Sequence, residues 1–316
     1  MPNILSNNFI LNNTSSKWLL FIILSAIWGS SFILMKVGLE HLNALQVASI
    51  RILSAGLVML PFAIKGFKRI PKNKLLTVAA AGLLGNFFPA YLYCIAEIKI
   101  DSALTSILNA LTPLCAIIIG LLFFKLKITV HKIIGVLVGF IGLAILPYAS
   151  AGAISFSNMS YAILVLLATI CYGTNVHVVS RFLKESSSID IAAVAFAFFI
   201  PPCIAVLVIT GFFKLDLLQN GIPVSILAAS TLGILGTALA TVWFYKLVKT
   251  AGSIFASLVT YGIPFVAVLW GLLFGETITL LEIFCLMIIL AGVYLVSGNK
   301  TAKSETPQDG SKNITV

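Results

Sequence analysis

Ten apolar stretches follow one another along this chain with little between them, and that succession decides what it can become. They cover residues 18–37, 44–64, 74–96, 102–124, 130–149, 160–182, 189–213, 223–247, 253–274 and 279–297. Each is close to the roughly 20 residues a helix needs to cross hydrocarbon. Helix is the conformation expected, because a lone apolar strand leaves its backbone groups unpaired in lipid. Of the 316 residues, 60% are apolar and 9% charged, against about 45–50% and about 25% in soluble domains. A soluble enzyme, a nucleic-acid binder and a disordered chain are therefore excluded. Residues 1–17 are read as an N-terminal tail. The polar residues 298–316, with Ser304, Pro307, Asp309 and Gly310, are expected to form a disordered tail.

The first stretch has some marks of a secretory leader, with Lys17 ahead of it and Gly29, Ser30 and Ser31 within it. The apolar run continues through Phe32, Ile33, Leu34 and Met35, however, and a matching segment recurs mid-chain where no leader can sit. The five cysteines (Cys94, Cys115, Cys171, Cys203 and Cys285) all lie in apolar stretches. An odd number with none in a polar loop does not make a disulfide framework. No Cys-x-x-Cys or His-x-x-x-His pair offers a metal site. The cysteines are read as small buried apolar side chains, and no metal or cofactor is expected.

The net charge of +10 is explained by where the basic residues fall. With the N-terminus in the cytoplasm, the inside segments carry sixteen Lys and Arg, among them Lys65, Lys68, Arg69, Lys72, Lys74, Lys125, Lys127, Arg181, Lys184, Lys246 and Lys249. The outside loops carry only Lys36, Lys99 and Lys214, and Arg51 lies within a span. Basic residues concentrate on the cytoplasmic side of membrane proteins, so both termini are expected there, facing the anionic inner leaflet. The expected location is a cell membrane, the inner one if the source is bacterial. No nucleic-acid partner is expected.

The chain also repeats itself. Adding 151 to the residue number carries Ser106 to Ser257, Pro113 to Pro264, Ala116 to Ala267, and Gly120-Leu121-Leu122-Phe123 to Gly271-Leu272-Leu273-Phe274. The same offset carries Gly82 and Gly85 to Gly233 and Gly236, and an offset of 144 carries Trp28-Gly29 to Tyr172-Gly173. The repeat unit holds five spans, giving halves at 18–149 and 160–297 joined by 150–159. Five is odd, so the second half enters the membrane from the opposite side. The fold expected is all-α and integral to the membrane, with ten transmembrane helices as two inverted five-helix repeats. Inverted repeats that can exchange conformations around a midplane site are an architecture of secondary transporters.

These residues resemble the EamA-type members of the drug/metabolite transporter superfamily. The resemblance rests on Trp28-Gly29-Ser30-Ser31-Phe32, on Arg51-Ile52-Leu53-Ser54-Ala55, on Gly85, and on Pro113 with Gly120 and Pro264 with Gly271. It rests most strongly on Leu272-Leu273-Phe274-Gly275-Glu276, followed by Ala291-Gly292. It implies ten helices and export of amino acids or other small metabolites. The first half departs from it in having Lys125-Leu126-Lys127 where the second has Gly275-Glu276.

The few polar residues within the spans are the candidates for function. Arg51 is a possible counter-charge for a substrate carboxylate, set against a structural arginine that bonds carbonyls or snorkels to the interface. Asn86, Asn109 and Asn175 need partners in lipid and serve either interhelical bonding or a cavity wall. Asn86 lies near Pro89 and Asn109 near Pro113, where proline weakens the helical ladder, and Pro264 repeats Pro113. Their repeat partners are polar too: Asn86 maps to Thr237, Asn109 to Thr260 and Asn175 to Ser31. Trp28 and Tyr172 sit too deep for interfacial belt aromatics and are candidate cavity walls, with Tyr261 a further one. For ion coupling, His177 and Glu282 are weak candidates, set against helix packing for His177 and a first-turn acidic residue for Glu282. Glu276 is read as a structural cap. Gly135 with Gly139, and Gly271 with Gly275, form small-xxx-small packing faces.

The function that follows is a secondary transporter of small metabolites working by alternating access. A membrane-embedded enzyme and a structural membrane protein are the alternatives. The first would need a catalytic constellation such as His-Glu-x-x-His, which the sequence lacks, and no catalytic residue is nominated. The partners are the bilayer and a small-molecule substrate. Proton coupling, exchange and facilitated diffusion all stay open, as do monomer and homodimer. The topology has a direct test: Ser150→Cys reacts with an impermeant thiol reagent on intact cells and Ser186→Cys only after permeabilisation. The reverse pattern overturns the orientation.

Overall fold

The computed structural model describes residues 14–125, 130–149, 159–217 and 219–297. The expectations for the tails 1–13 and 298–316 and for the linker 150–158 lie outside the described residues. Those described fold into helices with no strand among them. In chain order these are α1 (Thr14–Leu39), α2 (Ala44–Arg69), α3 (Lys72–Ala96), α4 (Ser102–Phe124), α5 (Val130–Ala149), α6 (Met159–Phe182), α7 (Ser188–Ile209), α8 (Ile222–Ala251), α9 (Ser253–Leu273) and α10 (Leu280–Ser297). Helix α1 begins at Thr14.

Among the described residues, eight of these helices are long and apolar enough to cross a membrane. Large side chains such as Leu76, Ile209, Leu269 and Leu273 stand outward, which suits a hydrocarbon solvent rather than water. Small residues line the helix contacts inside. A Cβ added to Gly292 on α10 would lie 2.5 Å from the Gly139 nitrogen and 2.6 Å from the Gly135 oxygen of α5. The small-residue face at Gly135 and Gly139 is therefore a helix contact, where backbones meet closely in place of side chains.

The packing partners come in matched sets. Helix α1 packs on α8 and α9, and α6 packs on α3 and α4. Helix α2 lies along α7 and against α8, α7 also meets α3, and α5 lies along α10. The close approaches match as well. A Cβ at Gly29 would come within 2.9 Å of the Ile263 oxygen, and one at Gly173 within 2.8 Å of the Ala116 nitrogen.

Four of the helices are irregular, three of them near a proline. Helix α3 carries a π segment at Leu83–Phe87, with the Phe88 amide reaching back to the Leu83 oxygen. Pro89 lacks the N–H that would meet Gly85, and widening the turn accommodates the missing bond. Helix α8 has a π segment, Leu232–Leu239, without a proline. Helix α4 breaks between Asn109 and Thr112, just before Pro113, and α9 breaks at Leu258, ahead of Pro264. Gly292→Leu is expected to force α10 off α5. It should lower the melting temperature of the detergent-solubilised protein by several degrees, since backbone atoms cannot give way as a side chain can. An unchanged melting curve would show that the α5–α10 contact contributes nothing.

Candidate functional site

The irregular stretches of α3, α4, α8 and α9 surround one buried cavity with α1, α2 and α6. Its atom-free space is about 760 Å³, adjoining solvent included. Trp28, Phe32, Tyr93, Tyr172 and Phe244 supply aromatic walls, and Met35 and Ile263 add apolar surface.

The broken ladders are repaired by side chains. Pro113 leaves the Asn109 carbonyl without its helical partner, and the Thr112 hydroxyl donates to it at 2.8 Å. The Asn109 Oδ1 accepts from the Tyr93 hydroxyl at 2.6 Å. In α8, the Thr237 hydroxyl donates to the Leu232 oxygen at 3.1 Å and accepts from Arg51 Nε at 2.8 Å. Arg51 is thus held from one side by the π segment, with the Tyr172 hydroxyl beside it. It is only 8% exposed and lines the cavity. It does not snorkel to an interface.

Six of the seven residues nominated for substrate from sequence (Trp28, Arg51, Asn86, Asn109, Tyr172 and Asn175) line this cavity. The Trp28 indole donates to the Gly236 oxygen at 2.8 Å. Asn86 accepts from the Thr241 hydroxyl at 2.9 Å and donates to the Tyr245 hydroxyl at 3.5 Å. The Oδ1 of Asn175 is buried and bonded to nothing in the protein. Tyr261 stands apart, outside the cavity wall, with its hydroxyl buried and unpartnered. Tyr93, Phe244 and Tyr245 were not nominated, because aromatic residues in apolar helices look like ordinary packing until the tertiary contacts are known. The repeat offered a signal for the site: Ser31 and Thr260, the partners of Asn175 and Asn109, also line the cavity.

The two residues nominated for coupling lie elsewhere. His177 shares a 2.7 Å hydrogen bond with the Ala116 oxygen and stacks on Phe124. Glu282 closes a capping box with Thr279, accepting from the Thr279 amide at 2.8 Å while its own amide donates to the Thr279 hydroxyl at 3.1 Å. All five cysteines are free thiols. Among the described residues no cluster of three His, Cys, Asp or Glu could hold a metal ion.

Glu276 is a cap, as read from sequence, but for a distant helix. Its carboxylate accepts from the Ser102 amide at 3.2 Å, the Ser102 hydroxyl at 2.7 Å and the Ala103 amide at 3.1 Å, at the start of α4. It also accepts from Lys36 Nζ of α1 at 2.7 Å. This joins α1, α4 and the α9–α10 connection at one end of the bundle. Burial pushes the Glu276 carboxyl up, but these donors outweigh it and hold it below the ordinary carboxylate range. Its contribution to stability is therefore present above the ordinary carboxylate pKa and is lost as pH falls through the lowered one.

A membrane-spanning bundle of broken helices around a polar-and-aromatic cavity defines a multi-pass transporter class. The EamA-like transporter family pattern matches residues 16–147 and again 159–298, and the chain belongs to that family. It is 26% identical over 288 residues to a protein of Archaeoglobus fulgidus described as an uncharacterized transporter, covering 89% of this chain and 98% of that one. It is 28% identical over 281 residues to the uncharacterized inner membrane transporter YedA of Escherichia coli K12, covering 87% and 88%. A shorter match, 24% over 131 residues and 42% of each chain, is to a probable amino-acid metabolite efflux pump of Salmonella typhimurium. A crystal structure of a protein 14% identical superposes with a TM-score of 0.61 over 90% of this chain and 97% of that one, a likeness of fold alone.

The cap has a measurable signature. Glu276→Ala removes four donors' acceptor at once and is expected to cost about 2–4 kcal/mol, the range for charge-assisted hydrogen bonds to a buried group. Lys36→Ala should cost under about 1 kcal/mol, because the ammonium is half-exposed and the carboxylate keeps its α4 donors. Thermal melts of the two variants should differ accordingly, and equal melting points would refute the capping role.

Proposed function

We propose that the protein is a secondary transporter that exports a small amphipathic carboxylate, of the amino-acid type, by alternating access. The carrying observation is Arg51, a buried guanidinium at the wall of an aromatic cavity that no other basic residue lines among the described residues. A guanidinium fits a carboxylate with two parallel hydrogen bonds. The unpartnered Asn175 Oδ1 would accept from an ammonium, and the aromatic walls suit an apolar side chain or a cation over a ring face. The efflux name of the Salmonella relative agrees with this substrate class.

The proposal includes ten transmembrane helices in two inverted halves, 18–149 and 160–297, with both termini in the cytoplasm. The two separate family matches support this, as does the exchange of contacts: α1 with α8 and α9 corresponds to α6 with α3 and α4. The π segments of α3 and α8 also correspond at the repeat offset. Two halves related in this way can swap conformations and so expose the cavity to each side in turn. The transporter names of the relatives favour this over an enzyme.

Reconstituted liposomes screened with labelled amino acids and related carboxylates, with and without a pH gradient, test the reading. Arg51→Gln is expected to reduce kcat/KM for the carboxylate about 10–100-fold, the equivalent of one charged hydrogen bond at about 1.4 kcal/mol per tenfold. It should leave a methyl-ester analogue little affected. Transport of no small solute under any gradient would overturn the proposal, and equal losses for acid and ester would remove Arg51 from the carboxylate role.

A further inference from the structure

Glu97 was missed in the sequence, because it falls just past the end of the third apolar stretch. In the structure it caps the C-terminus of α3, one turn beyond Tyr93 of the cavity wall. Residues four apart share a helix face, so Glu97 stands next above the cavity on the side of the Glu276 cap. Part of its stem is accessible, but both carboxylate oxygens are closed off from solvent and neither has a hydrogen-bond partner. An ionised carboxylate cut off from water and from donors is costly enough that such a group takes up a proton instead.

The charges that reach it come from every side. Lys36 faces it from α1, Arg51 from α2, Asp101 from the α3–α4 connection and Glu276 from the α9–α10 connection, while Tyr93 and Cys94 lie on its own helix. Both cations are already engaged, Lys36 by Glu276 and Arg51 by Thr237. Burial, reinforced by the Glu276 charge, pushes the Glu97 carboxyl well above the ordinary carboxylate value.

We propose that Glu97 is a proton-binding site of the transport cycle, loaded when the bundle is closed at the Glu276 end and unloaded when that end opens. The proposal rests on the transporter reading above and on the orientation that puts this end outside. Opening separates Glu276 from Ser102, Ala103 and Lys36 and lets water reach Glu97. The carboxyl then loses its proton to that outside water at ordinary carboxylate acidity, and closing takes one up again from the same side, so the site reads the external pH and carries no proton across the membrane. The closed state holds the higher pKa. Closure is therefore favoured below the closed-state pKa and weakens as pH rises towards it, by up to tenfold in the open–closed equilibrium per pH unit for one proton. Glu276 sets the opposite, acid limit, because protonating it loosens the cap. Asp101 is also raised, by burial first and then by Glu276, and Asp101→Asn serves as the control for it.

The test uses the full chain in liposomes and dicyclohexylcarbodiimide, which adds to protonated carboxyls in apolar surroundings. Adduct at Glu97 is measured by peptide mass spectrometry across pH. The expected result is a Glu97 adduct that persists at neutral pH and declines only in the alkaline range. An adduct that disappears with ordinary carboxylate acidity overturns the proposal, and this needs no variant. In flux assays, Glu97→Gln should abolish the dependence of transport on external pH from neutral to alkaline while substrate exchange at fixed pH continues, and Asp101→Asn should retain that dependence. A neutral-to-alkaline dependence on external pH that survives in Glu97→Gln also overturns it. An alkaline adduct profile in a protein that moves no solute would count against the transporter reading alone, with the proton site standing.

Discussion

A helix in hydrocarbon has nowhere to send an unpaired backbone group except to another part of the protein, and the arrangement of this molecule follows from that limit. Most of the chain obeys it trivially, by closing every N–H on its own turn. Where it does not, at Leu83–Phe87, Asn109–Thr112, Leu232–Leu239 and Leu258, the defects lie in four helices that surround the cavity. The hydroxyls of Thr112 and Thr237 take up carbonyls the ladder has released. The same residues then hold Asn109 and Arg51 in place, so the repair of the backbone and the construction of the polar wall are one set of bonds.

The cavity and the Glu276 end are coupled through short lengths of rigid helix. Tyr93 ties α3 to Asn109 in the break of α4, Glu97 follows one turn later, and the first residues of α4 are held by Glu276. A change that parts α4 from the α9–α10 connection thus acts on the cavity through α4 itself. It also alters the surroundings of Glu97 without any long chain of intermediates.

Much of this was legible in the residues. The apolar stretches located the helices to within a few positions. The repeat offset paired Trp28 with Tyr172 and Ser31 with Asn175, and all four meet at the cavity. The prolines marked the breaks in α3, α4 and α9. The break in α8 had no proline to announce it, and a π segment in an apolar helix leaves no sequence mark. Glu97 was illegible for a related reason: an acidic residue at the edge of a span looks solvated, and only the fold of other elements over it removes the water. Tyr261 is the converse case. It sits beside Pro264 like the cavity residues beside theirs, but helix rotation points it elsewhere, and rotation is fixed by packing rather than by spacing.

The Glu276 cap also carries a consequence for biosynthesis. The start of α4 is satisfied by a side chain 174 residues further along. At about 5–20 residues per second, the ribosome needs on the order of ten seconds or more to deliver it. For that interval the nascent first half holds a helix end whose amides have only water or lipid headgroups to bond. Until the ninth helix arrives the early helices can settle against each other only provisionally, and the last loop made is the one that fixes the first half's shape.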